Sequence, residues 1–210
     1  MEVFTVQNNS HQVTADAHDN PAQLVNGVAM HGTEAPSLWI QRWAHLIVPG
    51  STVLDLACGA GRHMKHLASL GHPVLGVDRS EEALSAASAW GQTLQADIEN
   101  GPWPLEGRQF GAVVVTHYLW RALLPRITQA VQPGGVLLYE TFAQGNETVG
   151  KPSRADFLLA PGELLEVAAQ NGLRVVAYED GFLHAPDRFV QRMAAVRETP
   201  SDQPARWPLA

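Results

Sequence analysis

One strand–turn–helix passage constrains this chain more than any other feature. Thr52-Val53-Leu54-Asp55-Leu56 reads as a buried strand and runs directly into a glycine-rich turn, Gly59-Ala60-Gly61. Arg62 to Leu70 follows as a helix closed by Gly71, and Pro73-Val74-Leu75-Gly76-Val77-Asp78 is a second apolar strand ending on an acid. Apolar strands joined through helices pair in parallel and are buried on both faces, so this passage alone points to an α/β domain.

The alternation extends in both directions. Upstream, Trp39, Ile40, Trp43, Leu46 and Ile47 recur at helical spacing between Pro36 and Pro49-Gly50. Downstream, Ser80 caps a helix over Glu81 to Trp90, whose Glu81 and Glu82 suit its positive end. Strands are predicted at Thr93–Asp97 and Ala112–Thr116, then a helix over Ala122–Gln132 stopped by Pro133-Gly134-Gly135, then a fifth strand, Val136–Glu140. A long polar connection spans 143–160. A helix over Gly162–Asn171, ended by Gly172, precedes closing strands at Arg174–Tyr178 and Val190–Val196. No internal repeat or domain boundary interrupts the pattern after Ser37.

Charge and composition narrow the partners. A net charge of −7 over 210 residues argues against a broad phosphate-binding surface and so against a nucleic-acid partner. A single cysteine, Cys58, excludes an internal disulfide and fits a reducing compartment. No apolar run approaches the ~20 residues needed to cross a bilayer, and residues 1–20 lack a secretory pattern, so the expected location is the cytoplasm. Residues 1–30, rich in Asn, Gln, Asp and His without a period, are expected to form a mobile tail, residues 31–199 the domain, and residues 200–210 a loosely held end.

Three successive strands are predicted to end on carboxylates, Asp55, Asp78 and Asp97, in register at the sheet edge where ligands of open parallel sheets bind. The Gly59-Ala60-Gly61 turn opens a helix, the context of a nucleotide site. A dinucleotide fingerprint would want a small residue where Met64 stands, and the Gly-Lys-Ser/Thr of a phosphate-cradling loop is absent. Asp55 beside the turn would repel a diphosphate and favour a ligand carrying an ammonium and a sulfonium, which points to S-adenosylmethionine. His63, His66 and His72 form no ligand set with Cys58, so no metal is expected.

Val53-Leu54-Asp55-Leu56-Ala57-Cys58-Gly59-Ala60-Gly61 resembles motif I of the class I, Rossmann-like S-adenosylmethionine-dependent methyltransferases, with Ala57 in place of the first glycine. Leu75-Gly76-Val77-Asp78 resembles their motif II. Gln95-Ala96-Asp97-Ile98 resembles the segment that brackets the adenine, and Gln132-Pro133-Gly134-Gly135 is a further habitual feature. The resemblance implies a single seven-stranded, mostly parallel sheet with helices on both faces. It implies cofactor contacts from Asp55, Ala57, Cys58, Gly59, Gly61, Arg79 and His117, Asp78 on the ribose hydroxyls, Asp97 on the adenine amine and Ile98 against its ring. The stretch from Glu140 to Leu165 is similar to small bacterial methyltransferases of the tellurite-resistance and thiopurine type, which implies a small-molecule acceptor. His117 and Tyr118 after the fourth strand and Glu140 at the end of the fifth are the candidate catalytic groups, His117 being the natural base near neutral pH. Alternatives from other classes are an RNA or protein methyltransferase, a non-catalytic cofactor-binding domain, and an NAD-dependent oxidoreductase. The first is opposed by the charge and by Thr116-His117-Tyr118-Leu119 where an N/D-P-P-Y/F motif would stand, the last by Met64 and Asp55.

Overall fold

The structure, a computed structural model, describes residues 34–201 and 205–209. Strands β1 (Val53–Leu56), β2 (Val74–Asp78), β3 (Gln92–Gln95), β4 (Phe110–Thr116), β5 (Val131–Phe142), β6 (Arg174–Leu183) and β7 (Arg188–Val196) form one sheet in the order β3-β2-β1-β4-β5-β7-β6. Every pair from β3 to β5 is parallel, and β7 lies antiparallel between β5 and β6. The chain winds outward in opposite senses from β1 and β4, which opens a crevice beyond their carboxyl ends.

Helices α1 (Leu38–Trp43), α2 (Arg62–Ser69) and α3 (Glu81–Ala87) cover one face; α4 (Leu124–Gln129) and α5 (Glu163–Gln170) cover the other. Strand side chains alternate between these layers, as a period of two requires. Leu54, Val113 and Leu137 pack with Ile127 and Leu164, whereas Val53, Ala112 and Leu138 pack with Trp39 and Met64. The same parity sends Asp55 and Glu140 to the α1–α3 side, where each is 1% exposed. At Gly76 a Cβ would collide with Met64 Sδ and lie 2.8 Å from Cys58 Sγ, so α2 is seated directly on the β2 backbone. That seat sets the height of the turn preceding α2.

Several boundaries differ from expectation. The first helix passes after Trp43 into a 3-10 turn, Ala44–Leu46. α3 ends at Ala87 rather than Trp90, and β3 ends at Gln95, two residues before Asp97. The helix expected over Ala122–Gln132 is only α4, preceded by a 3-10 turn at Arg121–Leu123. Pairing of Val131 with Phe110 captures the following residues as strand, and regular pairing resumes at Val136 after an irregularity. Residues 143–160 are closed at their base by Gln144 N–H to Leu159 O and Leu159 N–H to Phe142 O, at 2.9 and 3.0 Å. The end of the chain, expected to be loose, is partly anchored: Trp207 packs against the α1 layer and Pro208 O meets His45 Nε2 at 3.0 Å. The expectation for residues 1–30 lies outside the described residues.

Candidate active site

The crevice at the switch in strand order holds a cavity of about 510 Å³. Its floor is the turn after β1, where Ala57, Gly59 and Gly61 all take positive φ, at 55°, 54° and 84°. This winding turns Gly59 N–H toward Asp78, whose Oδ2 accepts it at 2.8 Å, while Oδ1 accepts Ser80 N–H at 2.9 Å. A carboxylate oxygen has capacity for more than one donor, so Asp78 can also receive a ligand's hydroxyls. Asp97 instead closes its own turn, accepting from the backbone of Glu99 and Asn100 at 3.1 Å each and from Asn100 Nδ2 at 2.9 Å. These bonds hold its carboxyl below the usual range. Ala83, Ala96, Ile98 and Tyr118 supply apolar wall.

Of the predicted cofactor contacts, Ala57, Cys58, Gly59, Asp78, Arg79, Asp97, Ile98 and His117 line this cavity. Asp55 and Gly61 do not. Gly61 is a packing position, where a Cβ would lie 3.0 Å from Ala87 Cβ and no side chain easily adopts the backbone. Asp55 lies beneath the turn, level with Gly76 rather than Asp78, so the three acids step outward instead of standing in register. Burial pushes its carboxyl up to about 7, against the lowering influence of Arg62 and a bond from the Met64 N–H, with Asp78 adding to the rise. Its Oδ2 has no hydrogen-bond partner. Cys58 is kept a neutral thiol, chiefly by burial and further by Asp55 and Asp78.

At the mouth of β4 the chain turns sharply. His117 has φ 52°, and its N–H bonds Glu140 O at 2.9 Å. An Arg62 nitrogen stands 3.3 Å from His117 Nδ1. Because a guanidinium only donates, Nδ1 is the accepting nitrogen of this pair, and a neutral ring carries its proton on Nε2. Nε2 faces Glu140 Oε1 at 3.9 Å, and the imidazole lies against the Phe142 ring with centroids 4.9 Å apart. Glu140 is further held by Ser37 Oγ–H at 2.9 Å and by Arg192 at 3.6 Å. Ser37 N–H in turn donates to His63 Nε2 at 3.1 Å. Burial, with the charges of Arg62, His117 and His66, drives His63 down to about 3, so it serves as a neutral acceptor.

Beyond this junction lies a second cavity, of about 460 Å³. Glu34, Arg62 and His117 line both spaces. Glu140 and Phe142 belong to the second; Tyr118 belongs only to the first. Tyr118 therefore stands apart from Glu140 and Phe142, the other groups expected around the methyl acceptor. Burial and the neighbouring Glu99 raise its hydroxyl well above the usual range. Sequence reading missed Arg62, Ser37 and His63. Arg62 had a signal, a cation at the first helical position after the glycine turn; the other two become visible only through contacts across the fold.

Residues 53–135 match the family described as Methyltransferase domain. A ubiquinone biosynthesis O-methyltransferase from Paraburkholderia xenovorans (strain LB400) is 49% identical over 49 residues, which is 23% of this chain and 20% of that protein. The match thus spans about a fifth of that relative's length. Among solved structures, TehB from Haemophilus influenzae superposes with a TM-score of 0.65 at 23% identity, covering 80% of this chain and 64% of that one. Magnesium protoporphyrin IX methyltransferase from Synechocystis PCC 6803, with bound SAH, gives 0.58 at 20% identity, covering 76% and 79%. Among the described residues no helix is long and apolar enough to cross a membrane. Residues 53–135 thus match a methyltransferase domain, and the described fold is the Rossmann-like fold of TehB and the Synechocystis enzyme.

Proposed function

We propose that the chain transfers a methyl group from S-adenosylmethionine to a small molecule bound in the second cavity. The observation that carries this reading is that the two cavities meet at His117 and Arg62. The first cavity fits the methyl donor by the chemistry of its walls. Asp78 has acceptor capacity at the turn, apolar side chains stand beside Asp97, and five carboxylates against two guanidiniums disfavour a polyphosphate. When bound, S-adenosylmethionine supplies a methyl already activated by its sulfonium. The SAH found in the Synechocystis neighbour supports this choice, and the O-methyltransferase relatives support a small acceptor.

The residues at the junction then align the acceptor and manage its proton. With the donor bound, an acceptor lone pair would form the new bond to the methyl carbon as the carbon–sulfur pair stayed on sulfur. Proximity and alignment of this kind supply ~7–11 kcal/mol of the barrier. His117 takes the acceptor's proton on Nδ1 once Arg62 turns to the ligand, and Glu140 stabilises the imidazolium through Nε2–H. Tyr118 belongs to the donor wall.

Calorimetry with S-adenosylhomocysteine, followed by incubation of methyl-labelled donor with hydroxy, amino and thiol compounds, tests the reading. Micromolar S-adenosylhomocysteine binding and a labelled low-molecular-weight product are expected. Absence of binding, or label appearing only on macromolecules, overturns it.

A further inference from the structure

The second cavity brings together three carboxylates, Glu34, Glu140 and Asp187, and three cations, Arg62, Lys151 and Arg188. Two of the carboxylates are ion-paired, Glu34 with Arg62 at 3.4 Å and Glu140 with Arg192 at 3.6 Å; the exposed Asp187 lies 3.4 Å from His184, which pairs with it only when protonated. The cavity's other two cations, Lys151 and Arg188, have no ion-pair or hydrogen-bond partner for their side chains among the described residues. The Nε of Arg188 is buried as well, an orphan donor in a cavity wall.

The backbone segments that carry the two cations are tied to each other. Asn146, 1% exposed, donates through Nδ2 to Pro152 O at 2.9 Å and accepts Phe189 N–H on Oδ1 at 3.2 Å. One buried amide therefore ties the residue after Lys151 to the residue after Arg188. Gly145 lets this loop lie on the Phe189 ring, 2.9 Å from where a Cβ would be. Glu140 pairs with Arg192, four residues along β7 from Arg188, and His117 stands beside it against the Phe142 ring.

We propose that the second cavity takes an acceptor bearing a carboxylate, clamped by Lys151 and Arg188, with its methyl-accepting group directed to His117. Arg forms paired charge-assisted bonds to carboxylates, Lys adds a point charge, and Asn146 ties the segments that carry them. This assignment rests on the methyl-transfer reading of the site. The occupant is a small planar hydroxy or amino acid, anchored by its acid group and methylated at its far end.

The probes are 3-hydroxybenzoate and its neutral counterpart 3-hydroxybenzamide, titrated into protein saturated with S-adenosylhomocysteine, with inorganic phosphate as a third arm. The acid should bind at least about tenfold more tightly than the amide, and phosphate more weakly than the acid. In the Lys151→Met/Arg188→Met double variant the acid-to-amide ratio should fall to within about threefold, with S-adenosylhomocysteine affinity unchanged. Asn146→Ala, which leaves both cations present, should lower the ratio partway.

Equal binding of acid and amide, no binding of either, phosphate binding as tightly as the acid, or a preference that survives the double variant would each overturn the carboxylate clamp. Failure of S-adenosylhomocysteine to bind the wild-type protein would instead strike the methyl-transfer reading. The two failures are thereby distinguishable.

Discussion

The walls of the first cavity come from short stretches close to the ends of β1, β2, β3 and β4, whereas the second gathers the start of α1, the end of β5, the loop after it and the β6–β7 turn. In the first, the sheet itself positions the groups: a parallel strand delivers its next residue to a fixed place. In the second, side chains do the positioning, with Asn146 joining loop to strand and Arg121 donating to the carbonyls of Asp156 and Leu158. A site of the first kind repeats wherever the fold repeats. One of the second kind can differ between proteins that share a sheet, which is where acceptor choice can diverge.

The largest effect that separates the two cavities is expected at their junction. His117→Ala should lower turnover on an identified acceptor by ~10²–10⁴-fold while S-adenosylhomocysteine affinity changes by less than about tenfold. An equal loss in both would merge the two cavities into one functional unit. Asp55→Asn tests whether the buried acid belongs to the cavity or to its foundation. Burial raises the Asp55 carboxyl from 3.8 to about 7 in the folded chain. Stability from the protonated group is thus fully present below its unfolded value and drains away as pH rises through 7. Relative to wild type, the variant should gain roughly 2–3 kcal/mol between pH 5 and 8 by denaturant titration. Its ligand affinity should stay within about threefold, since the residue does not line the cavity. A flat pH difference, or collapse of binding, would contradict that placement.

A smaller effect is expected at the donor end. Asp78→Ala should weaken S-adenosylhomocysteine by at least about tenfold, through lost hydroxyl bonds and release of Gly59 N–H. Binding of the 3-hydroxybenzoate probe should be nearly unaffected. Loss of both would mean that the turn after β1 also shapes the acceptor side. The smallest change is at Ala57, which holds φ 55° without being glycine. Ala57→Gly should raise stability by up to about 1 kcal/mol, partly offset by greater freedom in the unfolded chain. A destabilised variant would show that the methyl group packs usefully.

Much of the sheet, and the place of the first cavity at its edge, was legible because both depend on neighbours in sequence. Apolar runs ending at Asp55, Asp78 and Asp97, with the glycine turn between the first two, locate the crevice. Where inference went astray, a long-range contact outweighed a local preference. Val131 follows a helical pattern yet pairs with Phe110, and Gly61 has the composition of a ligand contact yet spaces α2 from α3. Ser37, Arg62 and His63 reach Glu140 and His117 only after distant segments meet. Periodicity carries no information about such meetings. Trp207 shows the same limit: a proline-rich end gave no sign that one indole would find the α1 layer.

The β6–β7 turn gives the fold a place to vary cheaply. β7 is held along its length by β5, from Val136 opposite Val196 to Phe142 opposite Val190. The turn beyond it carries Pro186 and Asp187 to the rim of the second cavity, with Arg188 at the base of the strand. His184 and Asp187 in that turn are exposed. Insertions or deletions between Leu183 and Arg188 would therefore be absorbed outside the β5–β7 pairing, and the rim could be lengthened, shortened or recharged one residue at a time. In an evolving lineage, or in a laboratory library, new shapes and charges of the second cavity would be sampled there at little risk to folding, with the first cavity carried along unchanged.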